Sequence, residues 1–414
     1  MSLLVQNIKK LLQVSADPPG FRAGKEMQRL PFIDNAYLYC ENDKIIDFGE
    51  MKDLPSSYLS SERILDASGR LVFPAYCDSH THLVYAGSRE IEYIDKIKGL
   101  SYEEIAKRGG GILNSARLLH DTPEDDLFDQ ASKRVSEIMR QGTCSVEIKS
   151  GYGLNLEDEM KMLRVIRRIK EEFPLTVKST FLGAHAVPAE FKGQQGKYVD
   201  LIINEMIPAV AEAGLADYID VFCDLGFFTP DETARMLTAG LKYGLRPKIH
   251  ANELGFSGGI QTGVEHKALS VDHLEFAGDA EINALLASGT MPTLLPGASF
   301  FLGIGYAPAR KMIEANLPVA LASDFNPGSS PSGNMNFIFS LACIKLRMLP
   351  EEALNAITLN SAYAMGIDTT SGSITKGKYS SFIVTREIPG LEFIPYSYGT
   401  DLLEHVFCKG REIR

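Results

Sequence analysis

From residue 74 onward the chain alternates short apolar runs with longer segments in which apolar residues recur every three to four positions. The runs at 74–78, 142–149, 177–183, 218–223, 246–249, 270–274, 290–295 and 318–323 predict buried strands. Most are separated by predicted helices. Met160, Leu163, Ile166 and Ile169 make one apolar stripe, with Asn155 as its N-cap. Thr229-Pro230-Asp231-Glu232 opens another helix with a capping residue and a first-turn proline, and Gly244 ends it. Eight consecutive β/α units over about 250 residues predict an α/β protein of the TIM-type (β/α)8 class. A doubly wound sheet is the alternative, but it rarely needs so many units in succession.

The two chain ends read differently. Segments 3–14 and 36–48 are strand-like, and Glu41-Asn42-Asp43 is a hairpin turn between Tyr37-Leu38-Tyr39 and Ile45-Ile46. Pro18-Pro19-Gly20 to Gly24 marks a loop, and 64–66 and 71–73 add further short strands. The pattern returns near the C-terminus at 377–384 and 405–410. The expected organisation is a barrel at 74–370 inserted into one small β-sandwich-like domain made by 1–73 and 371–414.

Composition narrows the function classes. A hydrophobic content of 45% with 23% charged residues is that of an ordinary folded protein. The net charge of -11 argues against a nucleic-acid or anionic-membrane surface, which would need a basic face. Small molecules, or a second copy in a homodimer, are the expected partners. Cys40, Cys77, Cys144, Cys223, Cys343 and Cys408 are scattered without Cys-x-x-Cys spacing, the pattern of reduced thiols. With no signal-peptide pattern after Met1 and no 18-residue apolar stretch, a cytoplasmic protein is expected.

Chemistry enters at the end of the first apolar run, where His80 and His82 stand two residues apart. On an extended chain such residues share a face, so both imidazoles point the same way. An isolated His-x-His is more often a hydrogen-bonded pair than a metal site. The positions of the other histidines change that balance. His185 follows the third predicted strand, His250 closes the fifth, His273 lies on the sixth and Asp324 closes the eighth. A barrel gathers its active site at these C-terminal strand ends. His80, His82, His250 and Asp324 then offer three nitrogens and one carboxylate oxygen to a divalent ion, Zn2+ or Fe. Glu253, three residues after His250, can hang beside such an ion as a general acid/base, with His273 still unspent. His120, His266 and His405 fall on other segments and read as structural or solvated.

This arrangement resembles the amidohydrolase superfamily, whose barrel begins with His-x-His on strand one and ends with a metal-binding Asp on strand eight. Members with two metals usually carry a carboxylated lysine at the end of strand four. Here that strand ends Val221-Phe222-Cys223-Asp224, which implies one metal. Lys149, the remaining rival, reads as an ion-pair residue. Within the superfamily, the stretches from His80 to Glu90, Gly109 to Ile112, Glu147 to Leu154, Thr180 to Pro188 and Ser323 to Gly328 resemble the imidazolonepropionase family. Ser79 and Ser323 depart from its usual Pro and Thr without removing a functional group.

The resemblance implies hydrolysis of the cyclic amide of 4-imidazolone-5-propanoate to N-formimino-L-glutamate in L-histidine degradation. Asp324 and Glu253 would take the proton of a metal-activated water, His273 would polarise the ring carbonyl, and Glu253 would protonate the leaving nitrogen. Arg89, in the loop after strand one, offers a bidentate fork for the propionate. The resemblance adds Tyr152 and His185 as substrate contacts, Asn326, Gly328 and Ser329 as pocket lining, and Tyr102 as a further candidate. A deaminase of a related heterocycle, or a non-catalytic scaffold of the same fold, are the competing expectations. The first would have no use for Arg89, and the second would typically have lost metal ligands.

Overall fold

The apolar runs pair side by side in chain order, every barrel pairing parallel. In this computed structural model, which describes residues 2–100 and 110–414, the barrel strands are Tyr76–Thr81, Thr143–Lys149, Thr176–Ala184, Tyr218–Cys223, Arg246–Pro247 continuing as Ile249–Ala251, Ser270–His273, Met291–Leu294 and Ala320–Leu321. Tyr102 and Gly109 lie outside the described residues. Strand one is buried along its whole length, with helices outside and packed side chains inside, which is why it reads as a run rather than an alternation.

Strands one and eight meet through the segments that follow them. Thr81 bridges Phe325, the His82 amide donates to the Phe325 carbonyl at 2.9 Å, and the Asp324 amide donates to the His80 carbonyl at 3.0 Å. Just below, the Ser323 amide donates to the Asp78 carboxylate at 2.9 Å and the Ser323 hydroxyl at 2.5 Å. Closure of the barrel therefore brings His80, His82 and Asp324 together. It also carries strand one beyond the predicted 74–78.

The outer helices form where their caps predict. Asn155 Oδ1 accepts from the Asp158 amide at 2.9 Å and starts Leu156–Glu172, whose Leu163, Ile166 and Ile169 are buried. Thr229 and Glu232 exchange the two bonds of a capping box at the head of Pro230–Lys242, and Gly244 follows it at φ +81°.

The chain ends build a separate eight-stranded sheet in the order Arg411–Glu412, Leu403–Cys408, Phe382–Glu387, Arg70–Pro74, Ser2–Leu12, Phe32–Glu41 and Lys44–Glu50, with Arg63–Asp66 also paired to Ser2–Leu12. The expected hairpin is present: Glu41 pairs Lys44 around Asn42 at φ +53°. Phe73, Ile383 and Val406 join the same apolar core as the barrel helices, so the sheet is packed onto the barrel. Truncating a buried aromatic such as Phe73 to Ala would cost about 3–5 kcal/mol. Among the described residues, no helix is long and apolar enough to cross a membrane.

Candidate active site

The five histidines singled out above converge at the C-terminal ends of the strands. Ring centroids of His80 and His250 are 4.5 Å apart, His82 and His185 5.1 Å, and His250 and His273 5.3 Å. Nε2 of His82 lies 3.3 Å from Nε2 of both His80 and His250. Asp324 Oδ1 lies 3.5 Å from His80 Nε2 and 3.6 Å from His82 Nε2. A tetrahedral ion with bonds of about 2.0–2.1 Å separates its ligand atoms by roughly 3.3–3.4 Å, so these spacings fit the edges of one coordination sphere. Burial, with neighbouring positive groups, holds His80 and His82 well below the ordinary imidazole range, which leaves them in the neutral, ligating form. The donor set therefore fits one divalent cation.

Three of these four candidate ligands have a polar group behind them. His80 Nδ1 is 2.6 Å from Asp272 Oδ2, and His250 Nδ1 is 3.0 Å from Asp220 Oδ2. Ser329 donates from its hydroxyl to Asp324 Oδ2 at 3.1 Å. Asn326 is engaged on both sides of its amide, donating to the Asp324 carbonyl and to Ser329 Oγ, each at 2.7 Å, and accepting from the Gly328 and Ser329 amides. These three residues shape the turn that presents Asp324, which sits at φ +54°. Asn252, His273 and Leu274 are also left-handed, at φ +58°, +86° and +64°. Four such residues at one strand-end face are conformations that the surrounding bonds must maintain.

Beside these residues stands a set of interacting titratable groups. His273 Nε2 is 3.6 Å from Glu253 Oε2, and its Nδ1 is 3.7 Å from Glu275 Oε2. Burial opposes charge on His273, but Glu253, Glu275 and Asp324 outweigh it and push the imidazolium up to about 10. Burial likewise raises Glu253 to about 7, against the pull of His273. Asp224 fixes the Glu253 backbone by accepting its amide at 2.6 Å, and Ser299 donates to Glu275 Oε1 at 2.9 Å.

The opposite wall is neutral. His185 Nδ1 is 2.9 Å from the Gly151 carbonyl and its ring is stacked 15° from that of His82. Burial takes its pKa down to about 3. Tyr152 packs on both, 5.3 Å from His185 and 6.0 Å from His82. Its loop is tied by the buried Glu159, whose carboxylate accepts from the Gly151, Gly153 and Leu154 amides. Gly151 needs its hydrogen: at φ +111°, a Cβ would lie 2.9 Å from His185 Nδ1.

Arg89 lies at the rim, paired through Nε and Nη2 to Glu92 Oε2 at 2.8 and 2.6 Å, with Nη1 against Gly328. Glu92 also accepts from the Gly111 amide and Asn114, so it holds the guanidinium and the next helix together. Lys149 is fully buried between Glu147, Asp220 and Asp272 at 2.6, 2.8 and 3.5 Å. The expected ion-pair role is thus what its surroundings provide. Glu147, Asp220, Lys248, Asp272 and Glu275 are site residues that the pattern of the sequence did not single out. Their signal was a charged residue inside an otherwise apolar strand or strand end.

Similarities to known proteins agree with this geometry. Residues 71–412 match the model of the amidohydrolase family. The chain is 55% identical to an imidazolonepropionase of Christiangramia forsetii over 413 residues, covering 100% of both chains. It is 53% identical to one of Flavobacterium johnsoniae with the same coverage, and 40% identical to one of Geobacillus kaustophilus over 99% of this chain and 97% of that one. In fold it is similar to an atrazine chlorohydrolase of Arthrobacter aurescens complexed with zinc, at TM-score 0.74 and 15% identity over 99% of this chain and 94% of that one. An adenosine deaminase of Xanthomonas campestris superposes at TM-score 0.69 with 14% identity, over 99% and 92% of the two chains.

Proposed function

The chain belongs to the amidohydrolase family and, within it, to the imidazolonepropionases, and we propose that the pocket above opens the ring of 4-imidazolone-5-propanoate to give N-formimino-L-glutamate. The reaction is a hydrolysis in L-histidine degradation. A water oxygen adds to the ring carbonyl carbon, the carbon–nitrogen bond of the cyclic amide breaks, and the nitrogen leaves with a proton. A divalent ion held by His80, His82, His250 and Asp324 would supply a water acidic enough to serve as nucleophile near neutrality.

The rest falls to the chain's own side chains. Glu253, raised to about 7 by burial, can take a proton from the water and return it to the departing nitrogen. Asp324, also raised by burial, can share the first of these duties. His273, kept protonated by its flanking carboxylates, can donate to the carbonyl oxygen as negative charge gathers there. Arg89 would bind the propionate. Tyr152, His185 and Tyr102 would contact the ring and arm, and Asn326, Gly328 and Ser329 would line the product end.

The three-histidine, one-carboxylate set suits zinc and iron alike. We take the barrel as 74–370 and the β domain as 1–73 with 371–414, in a cytoplasmic homodimer. The observation that carries the catalytic reading is the cluster of His80, His82 and His250, with Asp324 3.5 and 3.6 Å from the first two and the Glu253–His273 pair at 3.6 Å alongside. It is tested by the loss of ultraviolet absorbance of freshly generated imidazolone propionate on adding metal-replete protein. Rapid loss that disappears in His250→Ala supports the reading; no loss with the unmodified protein overturns it.

A further inference from the structure

The interior of a barrel of this class is ordinarily filled by layers of branched apolar side chains. Beneath the histidines, this one is filled by charge. Glu147, Lys149, Asp220, Lys248 and Asp272 come from strands two, four, five and six, and their side chains are all 0% exposed. Such a cluster is a poor source of stability, because desolvating the ions offsets most of their attraction and well-packed apolar groups would serve as well or better. What an apolar layer cannot supply is an acceptor for an imidazole.

The bonds run to that purpose. Asp272 Oδ2, 2.6 Å from His80 Nδ1, is the same oxygen that lies 3.5 Å from Lys149 Nζ. Asp220 Oδ2, 3.0 Å from His250 Nδ1, is the same oxygen that accepts from Lys149 Nζ at 2.8 Å. Asp220 Oδ1 also accepts the His250 amide at 3.1 Å. One ammonium thus bridges the carboxylates behind two different histidines. Lys248 pairs with Glu147 Oε2 and donates to the Ser79 carbonyl at 3.1 Å, the peptide just before His80. His250 Nδ1 faces Asp220 at 3.0 Å without a well-aligned hydrogen bond, whereas His82 Nδ1 has neither a hydrogen bond nor a facing carboxylate among the described residues, and its ring is placed by stacking on His185.

From these contacts we infer that Lys149 and Lys248 are positioning residues, which hold His80 and His250 through Asp272, Asp220 and the Ser79 carbonyl so that both Nε2 atoms face the cation site before any ion arrives. The inference rests on the reading that these histidines bind a divalent ion.

The test is metal binding, read without substrate. Metal-free full-length protein is titrated with Co2+ against a chromophoric chelator, and the visible absorption of the bound ion is recorded, for the unmodified protein, Lys149→Met and Asp272→Asn. Outer partners of metal-binding histidines typically contribute 10–100-fold in affinity. Both variants should bind Co2+ weaker by that factor and with an altered spectrum, while the far-ultraviolet circular dichroism at the same temperature is unchanged. Asp272→Asn keeps the side-chain size and reads the His80 arm by itself where Lys149→Met does not fold. Affinity and spectrum equal to those of the unmodified protein would overturn the positioning role. Failure of the unmodified protein to bind Co2+ would instead overturn the cation site, and the inference with it.

Discussion

His185 and His273 are the same side chain, both buried, on opposite sides of one pocket, yet one is neutral and the other cationic. His185 sits among imidazoles with its Nδ1 turned to the Gly151 carbonyl, and burial takes it down to about 3. Burial acts the same way on His273, yet Glu253, Glu275 and Asp324 outweigh it and lift the group to about 10. Neighbours rather than depth decide the protonation state. The pocket therefore has a neutral wall suited to stacking against a heterocycle and a charged wall suited to moving protons.

The largest effect should come from breaking the charged wall. Glu253→Gln keeps the shape but cannot accept a proton, and should lower kcat by about 10²–10⁴ while leaving metal content and KM near those of the unmodified enzyme. A kcat within a factor of two would remove Glu253 from the reaction. Next comes His273→Asn, which should cost about 10²–10³ in kcat through the lost donor to the oxyanion.

The same substitution changes the pH profile in a direction that can be worked out. Glu253 must be ionised to act as base, so kcat/KM should rise with pH through about 7 or, with a divalent ion adding positive charge nearby, lower. His273 must be protonated to donate, so the profile should fall as pH rises toward about 10. The imidazolium lowers the Glu253 pKa. Its removal should therefore move the acid limb to higher pH and abolish the alkaline limb. An acid limb that stays in place would mean that the two groups do not titrate as neighbours.

The two walls were unequally legible in the sequence. His80 and His82 could be paired from their spacing, because alternate residues of a strand share a face, and Thr229 and Asn155 announced their helices through local bonds alone. The apolar run predicts strand eight over 318–323, yet only Ala320–Leu321 pairs as a ladder. The Val319 carbonyl accepts instead from Asn360 Nδ2 and the Leu321 carbonyl from Ser361 Oγ, donors that lie 40 residues or more downstream. Glu275 and the ionic layer were hidden for a similar reason. That Asp272 stands behind His80, 192 residues away, depends on the stagger of the whole barrel. The sequence displays Asp272 only as a charge in an apolar run, with nothing to indicate its partner.

The smaller effects sharpen the comparison from the rim, where substrate charge rather than ring chemistry is at stake. Arg89→Ala should raise KM by roughly 10- to 150-fold, the equivalent of about 1.5–3 kcal/mol for a charge-assisted bond, and change kcat far less. Gly328→Ala asks the same question more gently. Gly328 is not left-handed, so its backbone accepts alanine, and the cost falls on contact: the new methyl would collide with Arg89 Nη1. Because Glu92 holds the other edge of the guanidinium, Arg89 would yield against that pair, and a side chain displaced from a rotamer minimum costs about 0.5–1.5 kcal/mol. KM should therefore rise roughly 2- to 10-fold at unchanged kcat and unchanged pH limbs, since neither wall has been touched. A KM that does not move in Gly328→Ala but rises in Arg89→Ala would mean that the fork binds the propionate from a position other than the one Glu92 now gives it.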